Sequence, residues 1–137
     1  MRFVLDASVA AAWVFADEDH PVAAAALTLI RNDEGCVPSL WWFEIRNVLI
    51  VNERRGRLRE ADTALFLRTL ARLPIVVDRA PEEMAVLTLA RRHGLTVYDA
   101  SYLELAERHA APLATLDVTL AQAARRENIS LVGHEPA

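Results

Sequence analysis

The segment RFVLDASVAAAW, residues 2–13, passes from one kind of secondary structure to another at a single carboxylate. Its first part is a short apolar run with phenylalanine and β-branched valine, which is typical of a buried strand. From Ser8 onward the residues are rich in alanine and follow a helical pattern. Asp6 stands between the two patterns. The segment therefore predicts a strand that ends beside Asp6 and leads directly into a helix.

The rest of the chain repeats this alternation of strand and helix patterns. Further strands are predicted in CVPSL, PIVVD, PLATLD and ISLV, which are residues 36–40, 74–78, 112–117 and 129–132. One or two helical patterns separate each strand from the next, and no β-hairpin signal occurs. Strands joined in this way form right-handed crossovers in a parallel sheet. The sequence predicts an α/β fold, with residues 1–137 in a single domain and a parallel five-stranded sheet flanked by helices on both faces.

Composition excludes several classes of protein. No apolar run reaches the roughly eighteen residues that a transmembrane helix needs, so no membrane association is expected. Asp6 interrupts the N-terminal region where a secretory signal peptide would be apolar. Cys36 is the single cysteine, which excludes an internal disulfide and fits a reducing compartment. We therefore expect a cytoplasmic protein.

The charge balance limits how the protein can use nucleic acid. The formal net charge is −4, whereas proteins that coat nucleic acid are normally basic. A nuclease remains compatible with this charge, because a bound divalent cation reverses the local field of an acidic pocket.

Three aspartates stand where a helix is predicted to begin. Asp6 and Asp117 each follow a predicted strand, and Asp99 lies in VYDAS, residues 97–101, which resembles VLDAS at residues 4–8. Ligands of open parallel sheets bind beyond the carboxyl ends of the strands, so the three side chains are expected at one edge. Aspartate is also a common helix N-cap, and capping is the alternative interpretation for each of the three.

Glu44 is a fourth candidate, in the segment SLWWFEIRNVLIV, residues 39–51, where a helix is predicted over about residues 40–54. Helical spacing places Asn47 on the same face, where it can orient Glu44 or a metal-bound water. A solvated polar stripe is the alternative interpretation. Carboxylates that converge on one pocket either raise their pKa values or bind a cation. Oxygen ligands without histidine or cysteine suit Mg²⁺ or Mn²⁺, which can activate water against a phosphodiester.

The chain resembles the PIN-domain ribonucleases, in particular VapC-type toxins of bacterial toxin–antitoxin systems. The resemblance covers nearly the whole chain and is carried by FVLDASVAAAW, PSLWWFEIRNVL, GLTVYDASYLELAER and PLATLDVTLAQAA, in this order. It implies that the metal ligands and catalytic acids are Asp6, Glu44, Asp99 and Asp117. It also implies that the supporting polar residues are Ser8, Asn47 and Thr115.

The resemblance implies an activity and partners as well. Such proteins cleave single-stranded segments of RNA, often in tRNA or other structured RNAs, with Mg²⁺ or Mn²⁺, and leave a 5′-phosphate and a 3′-hydroxyl. It further implies a homodimer and a cognate antitoxin that blocks the site. Some relatives carry another acid just after the position of Asp117, where this chain has Val118 and Thr119. A second metal ion is therefore expected to bind weakly, or only with RNA.

Other interpretations of the acids are weaker. Receiver domains and haloacid-dehalogenase-type phosphatases also place aspartates at strand ends, but both need a lysine, and all fifteen basic residues here are arginine. A catalytically weak or inactive RNA- or protein-binding module of the same fold remains as the alternative. Arg54, Arg55 and Arg57 are candidates for RNA phosphate contacts. The other interpretation of these arginines is a solvated helix end, which the helix dipole favours.

Overall fold

The computed structural model describes residues 1–15 and 19–134. Its strands are β1 (Arg2–Leu5), β2 (Glu34–Pro38), β3 (Ile75–Asp78) and β4 (Leu113–Ala114). Its helices are α1 (Ala7–Ala12), α2 (Pro21–Leu29), α3 (Leu40–Arg54), α4 (Glu60–Leu70), α5 (Glu83–His93), α6 (Val97–His109) and α7 (Val118–Arg126). The predicted alternation of strands and helices is confirmed.

The strands form one parallel sheet in the order β3-β2-β1-β4. In β1, Phe3 pairs with Gly35 of β2, and Val4 pairs with Leu113 of β4. Because all strands run in the same direction, their carboxyl ends lie along one edge. The ends of β1 and β4 are neighbours at that edge.

The prediction of a fifth strand at residues 129–132 is wrong, because the described sheet has four strands. Leu131 forms a single parallel bridge with Leu113, and two backbone hydrogen bonds of 2.9 Å accompany it. The chain enters this segment through Asn128 at φ 60° and leaves it at Gly133, where φ is 80°. The neighbouring strand β4 is only two residues long, and it pairs with this segment at Leu131 alone, so no ladder forms.

Helix α6 is the central helix of the fold. Seven consecutive residues of this helix, from Ala100 to Ala106, are buried. It packs on β1, β2 and β4 and also on α5 and α7. Thr96 caps its N-terminus by accepting a hydrogen bond from the Asp99 amide at 3.0 Å. A helix so enclosed has little freedom to shift, so the residues of its first turn are held firmly relative to the sheet edge.

None of the described helices is both long enough and apolar enough to cross a membrane.

Candidate active site

Four elements bring the candidate acids to one edge of the sheet. Asp6 follows β1, and Asp117 lies three residues after β4. Asp99 lies in the first turn of α6, and Glu44 lies in the second turn of α3. The carboxylates affect one another: burial raises the pKa of Asp99, and the charges of Asp117 and Asp6 raise it further. The charges of Asp6 and Asp99 likewise raise the pKa of Glu44.

Asp6 is the most enclosed of the four, with 6% of its surface exposed. Its Oδ2 atom accepts two hydrogen bonds of 2.7 Å, one from the Ser8 hydroxyl and one from the Thr115 hydroxyl. Burial raises the pKa of Asp6, and the charge of Asp117 adds to the rise. The two hydroxyl hydrogen bonds oppose it, because they stabilise the charged form.

Backbone groups orient both hydroxyls toward Asp6. The Leu116 amide donates to Ser8 Oγ at 3.0 Å, and the Asp117 amide donates to Thr115 Oγ1 at 3.0 Å. Each hydroxyl oxygen is thus already an acceptor, so its own proton is free to point at the carboxylate. This network joins the end of β1 to the end of β4 and holds Asp6 in one orientation.

The capping alternative holds for one of the three aspartates. Asp117 caps α7, because its Oδ1 atom accepts a hydrogen bond from the Leu120 amide at 2.8 Å. Asp6 precedes α1 but makes no side-chain cap hydrogen bond. Asp99 lies inside the first turn of α6, whose cap is Thr96. Helix capping therefore does not account for Asp6 or Asp99.

Glu44 is held from across the core by Tyr102. The Tyr102 hydroxyl donates to Glu44 Oε1 at 2.5 Å, and the tyrosine side chain is fully buried. Burial raises the pKa of Tyr102 far above its usual value, so the phenol stays a proton donor. Burial also raises the pKa of Glu44, while the hydrogen bond from Tyr102 lowers it. The solvated-stripe interpretation does not explain so specific a contact.

Sequence reasoning missed Tyr102, although a signal for it exists. Tyr102 stands three residues after Asp99, so the two lie on the same face of α6. A tyrosine among buried apolar residues needs a partner for its hydroxyl. Glu44 is 58 residues away in the chain, so the sequence alone does not name that partner.

The donor chemistry of the site fits a hard divalent cation. Its side chains offer carboxylate and hydroxyl oxygens, and desolvation of the acids is the main cause of the raised pKa values of Asp6, Glu44 and Asp99. A cation would favour the charged forms and offset this cost. Within residues 1–15 and 19–134, however, no three acidic, histidine or cysteine side chains form a ready-made metal cage. The fit therefore rests on donor type and electrostatics.

The remaining candidates lie on two different surfaces. Asn47 and Arg54 line a groove on α3 that also includes Glu44. Arg55 is the C-cap of α3 and is exposed. Arg57 points elsewhere, since its guanidinium lies 4.2 Å from the centre of the Phe15 ring. Of the three arginines, Arg54 is thus the one that shares a groove with a candidate acid.

Comparison with known proteins agrees with the fold. The family model described as PIN domain matches residues 3–126. Ribonuclease VapC3 of Pyrobaculum aerophilum is 35% identical over 125 residues, covering 89% of this chain and 94% of that protein.

Solved structures extend the comparison to three dimensions. The crystal structure of PAE2754 from Pyrobaculum aerophilum matches with a TM-score of 0.71 and 26% identity, over 90% of this chain and 84% of that one. FitAcB from Neisseria gonorrhoeae matches with a TM-score of 0.57 and 18% identity over 96% of both chains, which shows a shared fold. The chain therefore belongs to the PIN-domain family and resembles its VapC-type ribonucleases.

Proposed function

We propose that this protein is a metal-dependent endoribonuclease and the toxin of a toxin–antitoxin pair. The observation that carries the proposal is the meeting of Asp6, Glu44, Asp99 and Asp117 at one edge of the sheet of a PIN-family protein. Ribonuclease VapC3, its relative over most of both chains, supports the same activity. The proposal treats residues 1–137 as one PIN domain that acts in the cytoplasm.

The four acids are the proposed metal ligands. A bound Mg²⁺ or Mn²⁺ would supply an activated water and offset the charge of the phosphodiester under attack. The Ser8 and Thr115 hydroxyls keep Asp6 in one orientation, and Tyr102 does the same for Glu44. Little side-chain rearrangement is then needed when the ion and the RNA bind, and such preorganisation favours catalysis.

Two helix N-termini add to the electrostatics of the site. Asp99 lies in the first turn of α6, and Asp117 caps α7, so the positive ends of both helix dipoles face the acids. These dipoles favour negative charge, both on the carboxylates and on an incoming phosphate. The proposed reaction breaks the bond between phosphorus and the 3′ oxygen and leaves a 5′-phosphate and a 3′-hydroxyl.

The proposal includes partners. Its substrate is single-stranded RNA, in tRNA or another structured RNA, and a cognate antitoxin blocks the site. The protein is proposed to act as a homodimer. These partners follow from the resemblance to VapC-type toxins.

Cleavage of total cellular RNA tests the proposal. The antitoxin-free protein is incubated with Mg²⁺, with Mn²⁺ and with a chelator, beside an identically prepared Asp99→Asn variant, and the fragment ends are sequenced. We expect discrete cuts that need metal and are absent from the variant, because the substitution removes one of the proposed ligands. RNA binding should be largely retained by Asp99→Asn. Cuts that persist in the variant, or binding without any cleavage by the parent protein, would favour the inactive binding module.

A further inference from the structure

The outward face of α3 carries an open groove that leads away from the candidate acids. We call it the α3 groove. It starts at Glu44 and is lined by Trp42, Phe43, Arg46, Asn47, Ile50 and Arg54. From Glu44 to Arg54 it follows about 15 Å of helix, a length that suits a few nucleotides.

Two large aromatic side chains stand exposed at the start of the groove. Phe43 is 69% exposed and Trp42 is 50% exposed. Their rings contact each other edge to face, with centroids 4.9 Å apart and planes inclined by 71°. Neither ring is needed to fill the core at this exposure. A pair held in this way offers exposed apolar ring surface to a ligand without much further ordering.

Two cations line the same groove. The Arg46 guanidinium lies 3.9 Å from the centre of the Trp42 ring and donates a hydrogen bond to the Trp42 carbonyl at 3.1 Å. Arg54 lies farther along the helix. Within the described part of the chain, no carboxylate forms an ion pair with either arginine. Both positive charges therefore remain available for an anionic ligand.

Aromatic faces together with cations are the combination that binds single-stranded nucleic acid, because bases stack on the rings and phosphates pair with the cations. A second copy of this chain is a poorer match to the groove. An isologous contact would bring the patch against itself, so Arg46 and Arg54 would face like charges. Among the described residues, Glu44 is the one carboxylate that lines the groove, and it already accepts the hydrogen bond from Tyr102.

We propose that the α3 groove binds the single-stranded RNA on one side of the bond that is cleaved. A base stacks on Phe43, and Arg46 and Arg54 contact phosphates. This inference rests on the proposed ribonuclease function and adds to it the path of the substrate. It also assigns an RNA phosphate contact to Arg54 and not to Arg57, because Arg57 lies outside this groove.

Binding measurements on Phe43 variants test the inference. The probe is a fluorescently labelled single-stranded RNA of mixed sequence, titrated by anisotropy in the Asp99→Asn background so that it is not cleaved. Phe43→Ala and Phe43→Leu should each weaken binding about fivefold to a hundredfold, the effect of losing one stacked base. Phe43→Trp should keep the parent affinity, because it restores an aromatic face. Met84→Ala, at a side chain on α5 that is 59% exposed, is the matched control and should change nothing.

The Phe43→Leu variant distinguishes RNA binding in the groove from contact with a second copy of the chain. Leucine keeps an apolar contact but has no ring, so loss of binding in Phe43→Leu indicates stacking. Light scattering on the same variants should give an unchanged mass. The inference would be overturned if Phe43→Ala lost both its RNA affinity and its dimeric mass while Phe43→Leu kept both. That result would assign the groove to a second copy of the chain. Unchanged RNA affinity in Phe43→Ala would overturn it as well.

Two further readouts separate this inference from the proposed function. Arg54→Gln should reduce the slope of log affinity against log salt by about 0.7, as expected for one lost phosphate contact. RNA carrying 5-iodouridine should photocrosslink to Trp42 or Phe43, and crosslinks confined to other elements would contradict the path. If the parent protein binds no RNA at all, the ribonuclease proposal fails and the groove assignment fails with it. If it binds and cuts RNA regardless of Phe43, only the groove assignment fails.

Discussion

Three of the four acids of the candidate site are each held by a different kind of hydrogen-bond donor. Hydroxyls hold Asp6, a buried phenol holds Glu44, and the backbone amide of Leu120 holds Asp117. Hydrogen bonds to a charged acceptor are stronger than those between neutral groups, and they restrict rotation of the carboxylate. The orientation of these carboxylates is therefore set by residues that are not acids themselves.

Removal of the Tyr102 hydroxyl tests this view of Glu44. Tyr102→Phe keeps the ring in the core but leaves Glu44 without its donor, and a hydrogen bond to a charged group contributes about 1.5–3 kcal/mol. We expect the rate of RNA cleavage to fall about tenfold or more and the affinity for Mn²⁺ to weaken. Both are measured on protein whose circular dichroism spectrum matches that of the parent.

Tyr98→Phe is the matched control for this substitution. It removes the same hydroxyl from the same helix, but the Tyr98 side chain is 65% exposed. Cleavage and Mn²⁺ affinity should stay at the parent level. An equal loss in both variants would show that Tyr102 has no specific role toward Glu44.

The sequence predicted the acids, and the resemblance named Ser8 and Thr115 as supporting residues, but neither identified Tyr102 or the contacts that these residues make. Asp6 and Asp117 stand beside strand patterns, so their position at the carboxyl edge follows from parallel topology alone. The Tyr102 contact joins α6 to α3, and Thr115 reaches Asp6 across 109 residues. Such contacts depend on how elements pack, which periodicity within one segment does not contain. The roles of these residues in metal binding and catalysis remain predictions.

At the scale of elements, helices were easier to predict than short strands. The bounds of α3 were expected at residues 40–54 and are observed there, because a long amphipathic pattern ends before Gly56. Residues 112–117 were expected to form a strand, yet β4 is two residues long. A two-residue strand is defined by its neighbour β1 rather than by its own composition. The same reason applies to the single bridge at Leu131.

One ionic network holds the edge strand β3 to α6. Arg108 forms ion pairs with Asp78 at 2.8 Å and with Glu104 at 2.6 Å. Glu104 is 2% exposed, and Arg108 is the counter-charge that it contacts. His109 also contacts Asp78, at 3.2 Å. The network supports β3, whose own side chains are largely exposed or half-buried.

Loss of Arg108 should destabilise the protein through Glu104. Arg108→Leu leaves a buried carboxylate without a counter-charge, and we expect the free energy of unfolding to fall by about 2 kcal/mol in denaturant titrations. The expected loss is below that for a fully buried pair, because Arg108 is partly exposed. The double variant Arg108→Leu/Glu104→Leu should recover much of the loss, since it removes the unpaired charge. A double variant less stable than Arg108→Leu would contradict this account.

For the whole molecule, two sets of acids change stability in opposite directions with pH. Arg92 and His93 lower the pKa of Glu127 to about 2, and Arg108 lowers that of Asp78. The charged Glu127 and Asp78 side chains stabilise the folded state at neutral pH, and this stabilisation is lost as the pH falls toward their lowered pKa values. Asp6, Glu44 and Asp99 have raised pKa values. The folded state binds the protons of these three acids more tightly than the unfolded state does. The stability that these protonated acids contribute is therefore lost as the pH rises above about 4.

A divalent cation should offset the loss of stability that follows ionisation of Asp6, Glu44 and Asp99. It should not change the contribution of Glu127 and Asp78. We expect the midpoint of thermal unfolding, measured in chelator, to fall as the pH rises above about 4 and the site acids ionise. Added Mg²⁺ or Mn²⁺ should raise the midpoint more at pH 8 than at pH 5, because the ion binds the charged carboxylates. At a metal concentration ten times the dissociation constant, the gain in the free energy of unfolding is about 1.4 kcal/mol, which raises the midpoint by a few degrees.

The Asp99→Asn variant is the control for this prediction. At pH 8 in chelator its unfolding midpoint should be higher than that of the parent, and added metal should raise it by less. A gain that is independent of pH, or equal in parent and variant, would mean that the ion binds elsewhere and that these acids are not its ligands.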